Sequence, residues 1–172
     1  MMKWPLTLSL VCLLTLVSAC TSAPKGIAPI EGFELSRYLG TWHEIARLDH
    51  GFERGLSQVS AEYRLREDGG VSVINRGYSA ADKSWKVAEG KAYFVEASDI
   101  GHLKVSFFGP FYGAYVIYRL DSDYQYAFVT SYNRDYLWLL ARSPEIDESL
   151  KQDFITQAKS LGFDTQALIW PG

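Results

Sequence analysis

The sequence predicts an all-β fold: an eight-stranded antiparallel up-and-down β-barrel with one C-terminal α-helix packed outside. Two observations carry that expectation. From residue 41 onward, strand-length runs alternate with turn signals roughly every dozen residues, and one stretch of helical periodicity follows the eighth run. A flat sheet of that size would leave two long apolar edges, which closure removes.

The first run, 41–49, grows out of Tyr38-Leu39-Gly40-Thr41-Trp42-His43-Glu44-Ile45-Ala46. Gly40 permits a tight turn into the strand, and Trp42 is the first large apolar side chain able to point inward. The polar loop Asp49-His50-Gly51-Phe52-Glu53-Arg54-Gly55 is longer than a tight hairpin needs. Run 57–67 alternates, with Val59, Ala61, Tyr63 and Leu65 on one face and Ser60, Glu62, Arg64 and Arg66 on the other. Asp68-Gly69-Gly70 is a hairpin turn, and 71–78 then places Val71, Val73, Asn75 and Gly77 together. The turn around Ala81-Asp82-Lys83 leads into 85–95, where Gly90 reads as a bulge. Asp99-Ile100-Gly101 turns into 103–108, and Gly109-Pro110-Phe111-Tyr112-Gly113 turns again. Runs 114–120, 124–131 and 136–142 complete the eight, joined at Asp121-Ser122-Asp123 and Asn133-Arg134-Asp135. Pro144 ends the last strand, and Ser143 or Asp147 can cap a helix. Leu150, Phe154, Ala158 and Leu161 form its apolar stripe, Gly162 stops it, and Leu168-Ile169-Trp170 can pair as a final edge strand.

Length and composition fit one domain with a sizeable core: 172 residues, 48% apolar and 15% aromatic. The net charge of −3 and the lack of any basic block argue against nucleic acid as the main partner. Residues 1–19 read as a signal peptide, with a basic start at Lys3 and a charge-free apolar run over 6–19, too short to span a bilayer comfortably. The run ends in Leu16-Val17-Ser18-Ala19-Cys20, which resembles the bacterial lipobox. That resemblance implies S-diacylglyceryl and N-acyl groups on Cys20, anchoring the chain in a membrane at about 0.8 kcal/mol per buried CH₂. Cys12 leaves with the leader, so Cys20 is the only mature cysteine and no internal disulfide can form. Thr21 is not the Asp that retains many bacterial lipoproteins at the inner membrane, which favours the outer one. Residues 20–32, with Pro24, Gly26, Pro29 and Gly32, read as a lipidated tether, and 33–172 as the barrel domain.

An even number of strands returns the chain to the rim where it started, and closure pairs strand one with strand eight. Arg142 should therefore lie against Trp42, as a cation–π contact worth about 0.5–2 kcal/mol. The turn before Tyr124 falls on this rim too. Gly40-x-Trp42, Asp123-Tyr124 and Arg142 together resemble the three signature regions of the lipocalin family. Tyr38-Leu39-Gly40-Thr41-Trp42-His43-Glu44-Ile45-Ala46-Arg47 and Phe52-Glu53-Arg54-Gly55 resemble the apolipoprotein D and bacterial lipocalin branch. Val105-Ser106-Phe107-Phe108-Gly109-Pro110-Phe111-Tyr112-Gly113 and Asp135-Tyr136-Leu137-Trp138 resemble its bacterial outer-membrane members. The likeness spans about residues 33–170. Departures are Ser122-Asp123, where many members have Thr-Asp, and His43, where Tyr is common.

The resemblance implies that the other end of the barrel is open, beside the 49–55 loop. Tyr63, Asn75, Phe107, Tyr115 and Trp138 match cavity-lining positions of the family. By alternation Trp138 shares the inward face of Arg142, whereas the strand of Tyr115 is apolar on both faces. Such a set makes an aromatic pocket with a few polar groups, suited to an acyl chain. Glu44 shares parity with Trp42 and reads as a core acid that needs partners. The family likeness implies a fatty acid or lysophospholipid ligand, lipid storage or transport for envelope maintenance under stress, and suggests a homodimer. The competing reading is a structural or assembly lipoprotein whose aromatics fill the barrel and whose surface binds another envelope protein. Catalysis lacks support: His43, His50 and His102 have no metal spacing, and no Gly-x-Ser-x-Gly elbow, phosphate loop or dinucleotide fingerprint occurs. The family's isomerases need a cavity cysteine, which the mature chain lacks.

Overall fold

A computed structural model describes residues 20–171; the leader assigned to 1–19 lies outside them. Eight strands close into a ring: β1 (Gly40–Leu48), β2 (Leu56–Leu65), β3 (Val71–Ser79), β4 (Ser84–Phe94), β5 (His102–Phe108), β6 (Phe111–Leu120), β7 (Tyr126–Thr130) and β8 (Leu137–Ala141). Each pairs antiparallel with the next, and β1 pairs with both β2 and β8. A short helix, α1 (Leu35–Tyr38), precedes β1, and α2 (Glu148–Ser160) follows β8. Asp147 rather than Ser143 caps α2, accepting from the Leu150 amide. The expected edge strand forms as β9 (Leu168–Ile169), paired with Arg47 and Leu48 at the far end of β1.

Alternation along the strands divides the apolar residues between two cores. Inside the barrel lie Trp42, Tyr63, Val71, Val73, Leu103, Ile117 and Val129, together with Phe33 and Tyr38. Phe33 and α1 thus plug the closed end, where Tyr38 stacks on Trp42 at 4.6 Å between centroids. Outside, Ala46, Leu48, Phe128, Leu137 and Leu139 meet Phe154 and Ala158 of α2.

Three local expectations give way. Gly90 is not a bulge, because the β3–β4 ladder runs through Val73↔Gly90 without a shift. A Cβ there would lie 2.7 Å from the Ser106 carbonyl oxygen and 2.8 Å from the Phe107 ring, so the glycine makes room for that ring. Leu65 is exposed at the end of β2, beyond the reach of the inner core. Residues 21–32 do not stand off the barrel as a tether. Ile27 is buried in the outer core, and Ile30 donates to Ile117 at 2.9 Å and accepts from Gly101 at 2.9 Å. This segment covers β5 and β6 from outside, which explains why β6 is apolar on both faces.

Candidate ligand cavity

The closed end is built around Gly40, Trp42 and Arg142. Gly40 has φ +95°, a left-handed conformation that costs glycine little, and a Cβ there would approach Arg142 Nη1 to 3.4 Å. The guanidinium lies 4.1 Å above the Trp42 ring and donates to the carbonyls of Thr41, Arg37 and Leu39 at 2.9, 2.8 and 3.0 Å. It also reaches the Tyr124 carbonyl at 3.3 Å, so strand closure brings Gly40, Trp42, Tyr124 and Arg142 together. The Tyr124 hydroxyl accepts from the Glu34 amide at 2.9 Å and fixes the start of α1. Asp123 contributes backbone only: its amide and that of Gln125 both donate to Asp121 Oδ2. The side chain that organises this turn is Asp121.

Above this floor the barrel encloses a cavity of about 480 Å³, open towards the loops after β1, β5 and β7. Tyr63, Asn75, Phe107, Tyr115 and Trp138 all line it, with Val59, Val73 and Val105 among the aliphatic wall residues. Tyr115 bonds Tyr38 and Tyr63 through the phenolic oxygens, each at 2.8 Å. Three phenolic protons serve two bonds, so one proton remains for another acceptor whichever way the chain is oriented. Burial holds all three phenols above their ordinary range, and they stay neutral.

A second polar group sits towards the mouth and is missed by simple alternation. The β1–β8 register shifts between Glu44 and Ala46, so Ala46 faces the outer core while Arg47, only 1% exposed, turns in beside Glu44. Arg47 Nη1 donates to Glu44 Oε1 at 2.5 Å, and Nη2 donates to the Glu53 and Leu56 carbonyls. Glu53 Oε2 lies 3.0 Å from His50 Nε2 and accepts from Trp138 Nε1 at 3.1 Å. Burial and the neighbouring Glu53 charge hold the Glu44 carboxyl up. Burial pushes Glu53 up as well, but the His50 contact outweighs it and holds that carboxyl down. The irregular step that turns Arg47 inward has no sequence mark in an apolar-polar count; Glu44 itself finds the partner its parity demands.

The other side chains lining the space are almost all apolar or aromatic, and among the described residues no three His, Cys, Asp or Glu groups gather to hold a metal ion. The arrangement suits an elongated apolar molecule with an oxygen at one end. A lipocalin-like domain model matches residues 33–172. The chain belongs to the lipocalin family. This lipocalin is 57% identical over 156 residues to the outer membrane lipoprotein Blc of Vibrio cholerae serotype O1, covering 90% of this chain and 91% of that one. It is 51% identical to the protein of the same name from Escherichia coli K12, over 90% and 89% of the two chains. Among solved lipocalin-fold structures, insecticyanin from Manduca sexta superposes with a TM-score of 0.67 at 22% identity, over 88% and 86% of the chains.

Cys20 stands on the rim of this cavity. Its carbonyl accepts from the Ala114 amide at 2.8 Å, and the residue is exposed.

Proposed function

We propose that this lipocalin binds a single-chain lipid, a fatty acid or lysophospholipid, inside the barrel and stores or carries it in the bacterial envelope. The observation that supports this reading best is the unfilled apolar cavity of about 480 Å³ behind Trp138. Its aliphatic walls take the acyl chain, and Tyr63, Asn75, Phe107, Tyr115 and Trp138 contact the ligand. The spare phenolic proton serves a ligand oxygen. Acyl groups on Cys20 hold the protein in the outer membrane, facing the periplasm, in keeping with relatives named outer membrane lipoprotein. That storage or transport serves envelope maintenance under stress; a plant relative named temperature-induced lipocalin-1, 31% identical over 153 residues, is in keeping with a stress setting but does not speak to the envelope. An assembly protein with a plugged barrel is the weaker reading, because the aromatics line the space without occupying it.

Native mass spectrometry of delipidated protein exposed to micromolar fatty acid or lysophospholipid tests the proposal. One retained lipid per chain is expected, and retention of none would overturn it.

A further inference from the structure

The open rim exposes apolar side chains to water. Phe108 and Phe111 flank the β5–β6 turn at 71% and 77% exposure, and Phe52 in the β1–β2 loop is 69% exposed. All three also line the cavity mouth. Large rings left uncovered at one end of a small domain mark a surface that meets something apolar.

Charge divides the molecule along the same axis. The four closed-end connections, 66–70, 95–101, 121–125 and 142–147, carry eight acidic and two basic residues. The four at the open end, 49–55, 80–83, 109–110 and 131–136, carry four acidic and three basic residues. A surface bearing anionic lipid therefore repels one end of the barrel far more than the other.

The third observation is where the chain is pinned. The Cys20 carbonyl is bonded to β6, His102 Nε2 lies 2.7 Å from the Thr21 carbonyl, and Arg134 Nη2 donates to the Lys25 carbonyl at 2.7 Å. An anchor at Cys20 then has no slack: acyl chains on its sulfur enter the bilayer within a side-chain length of the cavity mouth.

We infer that the open rim is a membrane-docking surface, seated on the phospholipid bilayer with Phe52, Phe108 and Phe111 in the interface. Lipid then passes between the leaflet and the cavity without crossing water. The inference rests on acylation of Cys20, proposed above.

Acylation consumes the only mature thiol, so one introduced cysteine can be spin-labelled uniquely in the processed full chain. Phe111→Cys and Phe52→Cys report the rim, and Glu67→Cys reports the closed end. On vesicles of phosphatidylethanolamine and phosphatidylglycerol, both rim labels should gain several-fold in collisions with bilayer-dissolved oxygen. They should lose as much with an aqueous nickel complex, while the label at 67 stays in water. Rim labels that remain aqueous on vesicle-bound, acylated protein would overturn the inference. Dipolar broadening between rim labels without oxygen exposure would overturn it too, assigning the patch to a second copy. The mass of the processed chain is read separately: a bare Cys20 removes the anchor reading and this inference with it.

Discussion

Arg142 directs four hydrogen bonds from one planar group at the carbonyls of Arg37, Leu39, Thr41 and Tyr124, while its face covers Trp42. Charged donors of this kind contribute about 1.5–3 kcal/mol, and the guanidinium offers five donors in one rigid plane where an ammonium offers three, too few for these four carbonyls. Arg142→Met should therefore lower stability by about 2–4 kcal/mol, read as a fall in the urea midpoint, with Arg142→Lys recovering only part. The buried phenols give a second expectation. Tyr38, Tyr63, Tyr115 and Tyr118 are held above their ordinary value of 10.0, chiefly by burial. Their folded forms keep protons that the unfolded chain releases, so stability is fully present below pH 10 and falls as pH rises above it. In a titration followed at 295 nm, these four of the 11 tyrosines should ionise only together with unfolding. Early ionisation of all 11 would contradict that. The Trp42–Arg142 contact is legible in the sequence because strand parity alone places it. Arg47 is not, because one irregular step in β1 reverses which residues face in.

Among the elements, the strands with clean alternation are the legible ones: β2 and β3 point Val59, Tyr63, Val71 and Val73 inward as their pattern dictates. Sequence reading falters where a second layer covers the outside. Beneath residues 20–32 the outer face of β6 is apolar too, and alternation disappears. The short α1 is likewise hidden, since four residues hold no helical period, and its position is fixed by Tyr38 stacking on Trp42 and by the Trp42 Nε1 bond to the Tyr38 carbonyl at 2.8 Å. Gly90 illustrates the same limit. Its role depends on Phe107 in the next strand, which no local signal reveals. A side chain at 90 meets the Ser106 backbone and the Phe107 ring together, and only the ring can yield. Gly90→Val should cost about 1–3 kcal/mol, push Phe107 into the cavity and weaken lipid retention. Unchanged stability with unchanged retention would show that the strand shifts to absorb the branch.

At the scale of the whole molecule, the two cores divide the work. The outer core under α2 is filled by Phe128, Phe154 and their neighbours, whereas the inner one is packed at the closed end and hollow above it. Unfilled apolar space lowers stability because its lining atoms lack partners on one side. A guest chain supplies those partners, so occupancy and stability are linked: ligand at a hundred times its Kd should add about 2.7 kcal/mol. Chain length then becomes the discriminating variable. Each methylene moved from water into the barrel contributes about 0.8 kcal/mol, so twelve- and sixteen-carbon fatty acids should differ about two-hundredfold in affinity. A head group held alone at the rim, with its chain in solution, would give nearly equal affinities for the two. Ala61→Trp sharpens the comparison, because Ala61 lines the cavity and an indole there occupies the space the chain needs. That variant should fold, lose the length dependence together with binding, and no longer gain stability from added lipid. If it still bound lipid with the same dependence on length, the acyl chain would lie elsewhere than inside the barrel.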